Sequence, residues 1–98
     1  MSITSKQWPS KRAGETDYRG IDWKNDLAVS ETLTATFSFE ILAGSGTAMV
    51  TGSAKDAVLP ITIATLSGGT VGTPAQVVAK VTTSNARELE VLMLLEIT

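Results

Sequence analysis

Residues 32–40 alternate without a break: Leu33, Ala35, Phe37 and Phe39 fall on one side, and Thr32, Thr34, Thr36, Ser38 and Glu40 on the other. Period two is the repeat of a β-strand, and an apolar face backed by a Thr-rich one means that one side packs on a core while the other meets water. Such strands build antiparallel sandwiches. The same alternation returns through Val77, Ala79 and Val81 in residues 75–83 and through Leu89, Val91, Met93, Leu95 and Ile97 in residues 88–98. Ser84-Asn85-Ala86-Arg87 between them is short enough for a hairpin, so these two strands should pair. Residues 19–23, with Ile21 and Trp23 on one face, 47–51 and 59–66 complete the strand set; Gly44-Ser45-Gly46, residues 52–56, and 66–74 with Gly68, Gly69 and Gly72 ahead of Pro74 are the turns. In residues 59–66, Leu59, Ile61 and Ile63 share one face and Pro60, Thr62 and Ala64 the other, with Pro60 at a strand start or edge. Leu, Met and Glu also make a helix conceivable over residues 86–97, but propensity is a weak prior that strand pairing overrides. The expected fold is all-β, an immunoglobulin-like antiparallel sandwich of about six or seven strands over residues 19–98.

At 98 residues the chain supplies one domain and one core. It has no Cys and no His, which removes disulfides, thiolate zinc sites, cysteine nucleophiles and every His-based acid, base or triad. No enzyme chemistry, metal or cofactor is expected. The net charge is −2, with the eight basic residues scattered rather than drawn into the stripe that phosphates require, so nucleic acid is not an expected partner. No apolar run approaches the roughly 20 residues of a membrane span, and the first twenty residues lack the apolar middle of a secretory signal; no membrane partner is expected either.

Residues 1–18 are polar and show neither strand nor helix periodicity around a lone Trp8-Pro9 pair. They read as an extended arm with a reach of up to roughly 60 Å. Trp8 has too few apolar neighbours in sequence to make its own core; it either stays free or docks in a groove, on another subunit in preference to its own domain, with Pro9 limiting the entropy lost. On this view the arm can be removed through Asp17 without unfolding the domain. Trp23, by contrast, reads as a core anchor between two sheets.

Trp8-Pro9, Asp17-Tyr18, Ile21-Asp22-Trp23, the Thr-rich strand of residues 32–39, residues 66–73, Thr82-Thr83 and Arg87 together resemble a family of short phage virion proteins, the fiber-tail adaptors of tailed bacteriophages. The resemblance spans most of the chain. Phe37 and Ala64-Thr65 stand where the family usually has Trp, and Ala86 stands where a glycine is expected before Arg87, which leaves the hairpin's turn type open. The resemblance implies an immunoglobulin-like structural part of the virion, assembled in the host cytoplasm and placed at the tail or neck, that attaches or orders neighbouring components such as fibers. Its partners would be other virion proteins, and a small module repeated in a symmetric homo-oligomeric ring multiplies weak contacts.

The expected interface residues are Trp8, Pro9, Tyr18, Leu92 and Leu94. The last two lie on the outer face of the final strand beside Glu90 and Glu96, where they need cover, either from the arm or the residue 24–31 connection or from a neighbouring protein. Asp22 with Asp26, and Glu88, Glu90 and Glu96, are the candidate acid–base or calcium carboxylates, but six to eight oxygens or a cleft are needed, and solvated surface charge is the simpler account. Residues 68–72 lack the Lys and helix start of a phosphate loop. The rival function is a carbohydrate-binding or adhesion module, which wants exposed aromatics; of the five present, Trp23, Phe37 and Phe39 fall at inward positions.

Overall fold

The structure is a computed structural model that describes residues 4–98; residues 1–3, the start of the expected arm, lie outside the described residues. Its strands are β1 (Thr4–Gln7), β2 (Asp17–Asp22), β3 (Leu33–Ile41), β4 (Met49–Lys55), β5 (Ile61–Ser67), β6 (Ala75–Thr83) and β7 (Glu88–Leu95), with a single 3-10 turn at Lys24–Asp26. They form two sheets, β1-β7-β6-β3 and β2-β5-β4, packed as a sandwich. The second order is that of strands B, E and D of an immunoglobulin domain and β3-β6-β7 is that of C, F and G, with the first strand carried on the far sheet. The expected fold class therefore stands, and no helix forms over residues 86–97: Glu88–Leu95 is strand β7, pairing antiparallel with β6 from Ala75↔Leu95 to Thr82↔Glu88.

The inward faces are those the alternation marks on β6 and β7: Val77, Ala79, Val81, Val91, Met93 and Leu95 are all buried. Trp23 is 2% exposed and its indole N–H donates to Thr62 Oγ1 at 2.9 Å. That bond fixes which face of β5 turns inward, a choice alternation alone does not make: Thr62, Ala64 and Leu66 face the core and the apolar Ile61 and Ile63 face outward, half-buried. Burying Thr62 is tolerable because its hydroxyl is satisfied by the indole. β4 runs on through residues 52–55, expected as a turn; a bulge between Val50 and Gly52 lets the strand continue along β5. β3 likewise carries an irregularity between Leu33 and Phe37, which leaves Ala35 exposed, while Phe37 and Phe39 pack against the core half-buried.

The expected free arm is instead part of the domain over its described length. β1 pairs parallel with β7, from Thr4↔Val91 to Gln7↔Leu94. Beyond it the backbone keeps the same track: Trp8 N–H donates to Leu94 O, Lys11 N–H to Glu96 O and Ala13 N–H to Thr98 O. Trp8 is 5% exposed, and its indole N–H donates to Gly20 O at 2.9 Å. The side chain of Lys11 is buried too, its ammonium held by the Gly68 and Arg12 carbonyls at 2.7 Å each. A parallel edge strand that offers the core one large ring and hydrogen-bonds the rest to a neighbour has no apolar period to read, which is why the sequence suggests an arm.

The Gly-rich turn is built as its residues require: Gly68 has φ +70°, and a Cβ there would sit 2.7 Å from Thr47 O. In the β6–β7 hairpin Ala86 has φ +60°, and its N–H donates to Thr83 O. This is a three-residue loop with a left-handed third position, normally a glycine site. Ala86→Gly is expected to raise stability by about 0.5–1 kcal/mol, the strain of a side chain at positive φ exceeding the entropy glycine adds to the unfolded chain; a urea melt of the two chains checks it.

Candidate protein-docking interface

The five residues expected to form an interface fall in three separate places. Trp8 is in the core, so in this conformation it docks on its own domain and not on another subunit. Pro9 is exposed beside it, and its carbonyl accepts Arg19 Nε at 3.1 Å while Ser10 O accepts the same guanidinium. Tyr18 stands 69% exposed on the outer face of the three-stranded sheet. Leu92 and Leu94 lie together, half-buried, on the outer face of the four-stranded sheet.

Registers define that last face. Val78 pairs with Leu92 on one side and Glu40 on the other; Gln76 pairs with Leu94, Lys80 with Glu90, and β1 adds Gln7 beside Leu94. Directly paired residues share a face, so Val78, Leu92 and Leu94 form an apolar centre and Glu40, Gln76, Lys80, Glu90 and Gln7 a polar rim. Lys80 and Glu90 lie 3.7 Å apart across the rim. Among the described residues β1 lies beside this face, as its edge strand, and not over it. Val78 is the member that alternation misses: Val77-Val78 puts consecutive apolar residues on opposite faces, and the second is the signal of an outer face that is not simply solvated.

At one end of the sandwich a charged cluster fixes the loops. Glu31, whose side chain is wholly buried, accepts hydrogen bonds from the Arg87 guanidinium, the Thr83 hydroxyl and the Ala28 N–H. Arg87 also donates to Asp26 O at 2.8 Å. The Arg87 hydrogen bonds, then those from Thr83 and Ala28, hold the Glu31 carboxyl down at about 2 against an ordinary 4.5. The cluster ties the β2–β3 connection to the β6–β7 hairpin. Its geometry is that of a clamp, because both carboxylate oxygens already accept hydrogen bonds from the loops they hold.

The carboxylates weighed from the sequence are similarly engaged or dispersed: Asp22 accepts Lys24 N–H, Glu90 meets Lys80, and among the described residues no three acidic side chains gather as a metal site would require. No helix of the described residues is long and apolar enough to cross a membrane. For the adhesion reading the exposed aromatics reduce to Tyr18, since Trp8 and Trp23 are buried and Phe37 and Phe39 pack on the core. One ring makes no stacking platform.

Residues 11–96 match the profile of the family described as Podophage GP4 fiber-tail adaptor protein gp77. The chain belongs to this family. It is accordingly a structural component of a phage virion, working in contact with other virion proteins. No curated protein and no solved structure matches the chain. The family span takes in the Ile21-Asp22-Trp23 strand, the Gly68-Gly69 turn and Arg87, which the structure resolves into a core anchor, a tight loop and half of the Glu31 clamp. Trp8 and β1 lie ahead of the matched span.

Proposed function

We propose that this family member is a docking adaptor that holds a fiber component to the tail or neck through the outer face of its four-stranded sheet, with copies repeated by symmetry in a ring. What carries the reading is the half-buried Leu92–Leu94 pair, set beside the buried Val78 inside a rim of charges and amides, the pattern of a small protein interface. A half-buried leucine leaves about 1 kcal/mol of apolar burial for a partner to complete, so the pair accounts for roughly thirtyfold in affinity at each contact. Ring symmetry then multiplies a modest contact into stable attachment.

The double variant Leu92→Arg/Leu94→Arg tests it. Both positions face outward, so the variant is expected to melt within about 1 kcal/mol of the parent chain and yet to be missing from assembled particles, with loss of fibers alongside. Normal incorporation of the folded double variant would remove this face from the docking role.

A further inference from the structure

The opposite side of the sandwich, the outer face of β2-β5-β4, has an unbalanced surface. Tyr18 on β2 and Gly52 on β4 pair with Thr65 from its two sides; Gly20 on β2 and Ala54 on β4 likewise flank Ile63. These two rows carry no charge. On the β2 side stands an exposed tyrosine, and next to it opens a recess of about 560 Å³ lined by Tyr18, Gly52, Ser53, Ala54, Ile63 and Thr65.

Gly52 closes the β4 bulge, where glycine is common, but no bulge accounts for Gly20. Neither Gly20 nor Gly52 has a left-handed φ, and a Cβ would come no nearer than 3.6 Å to Thr62 O at Gly20 or 3.5 Å to Thr65 Oγ1 at Gly52, which is ordinary contact. Glycine in a strand nonetheless costs about 0.5–1 kcal/mol relative to alanine, and inside a strand it commonly marks the close approach of another surface. Ile61 and Ile63, turned outward although apolar, add to the case for cover.

The registers say what fits. A two-fold axis laid along β5 exchanges the flanking strands, so Tyr18 of one copy falls over Gly52 of the other, Gly20 falls over Ala54, and Ile63 and Thr65 meet their own counterparts. The tyrosine that protrudes on one side matches the recess that opens on the other. We propose that two copies of this chain pair through these faces, each Tyr18 ring seated in its partner copy's recess above Gly52. The contact is isologous and closed. Three strands about 4.8 Å apart and six residues at about 3.4 Å give a face of roughly 14 by 20 Å, well short of the ~800 Å² per partner of a standard stable interface, so the pair is a weak contact that gains from repetition. Back-to-back pairing leaves both Leu92–Leu94 faces pointing outward in opposite directions, and the pairing stands or falls independently of what those faces bind.

The chain has no Cys, which gives a direct test. Tyr18→Cys and Gly52→Cys are made separately, mixed and treated with a thiol-specific bismaleimide that bridges faces packed about 10 Å apart, a gap wider than the ~7 Å reach of a direct disulfide. In the pair each position faces the other residue and not itself. A cross-linked heterodimer is expected in the mixture, at least severalfold above the homodimers that either variant forms alone. In sedimentation equilibrium the parent chain should dimerise at high concentration, Gly52→Gln should be monomeric there with a melt no lower than the parent's, and Leu92→Arg/Leu94→Arg should still pair. A mixture that gives no excess of heterodimer, or a parent chain that is monomeric at its solubility limit, overturns the proposal. So does pairing that survives Gly52→Gln or is abolished by the leucine variants, since copies would then meet through another surface.

Discussion

Replacing Trp8 by alanine is expected to cost about 3–5 kcal/mol, the range for emptying a buried aromatic site, and removing residues 1–17 is expected to leave a chain that does not reach the same sandwich. The ring is 5% exposed, and losing it empties the space between β2 and the last strand and leaves Gly20 O without its indole donor. The longer deletion goes further, since it takes β1 from the edge of β7, the buried Lys11 ammonium from the Gly68 carbonyl, and Asp17 from the start of β2. For a domain of this size native stability is typically only about 5–15 kcal/mol, so the single substitution already consumes a large share. Urea melts of the parent chain, Trp8→Ala and the deletion measure the effect. A deletion that melts like the parent would restore the free arm, with the N-terminal segment available to neighbours.

That result also bears on what the sequence can convey. Alternation made β3, β6 and β7 legible because antiparallel strands with one wet face carry a period, and the Ser84–Arg87 connection made their hairpin legible. It groups the faces of β5 correctly, Ile61 and Ile63 against Thr62, but does not say which turns inward: that is set by what satisfies Thr62, namely the Trp23 indole 39 positions away. Trp8 failed for a related reason, since its neighbours on β7 and its acceptor at Gly20 are remote in sequence. Of the interface, Leu92 and Leu94 showed themselves as apolar residues on a polar face, whereas Val78 was hidden in a run where both faces are apolar. Tyr18 was visible as an aromatic without an obvious core, but the recess beside it exists only because β4 and β2 flank β5 in register, which no local pattern encodes. Family membership adds the virion to this account, and it does not by itself say which face docks.

The Glu31 clamp gives the sharpest prediction in pH. Glu31→Gln is expected to be markedly less stable than the parent at pH 7 and equal to it by about pH 2. In the folded chain the carboxyl titrates at about 2, chiefly through the Arg87 hydrogen bonds, and in the unfolded chain at about 4.5. Above about pH 4.5 it is charged in both states and its stabilisation is complete. As the pH falls from there toward 2, the unfolded chain binds a proton that the folded chain does not, so unfolding gains progressively. Below 2 both states are protonated, the Glu31–Arg87 pairing is gone, and a neutral acid accepts little more than an amide does. Asp17 and Asp56, also held below their ordinary values by Arg19 and by the Leu59 and Val58 N–H groups respectively, titrate alike in both chains and cancel in the difference. The measurement is the denaturant midpoint of each chain from pH 7 to 2. Curves that stay parallel across that range would mean that the carboxylate adds nothing beyond its shape, whereas convergence between 4.5 and 2 assigns the hold of the β2–β3 connection on the β6–β7 hairpin to its charge.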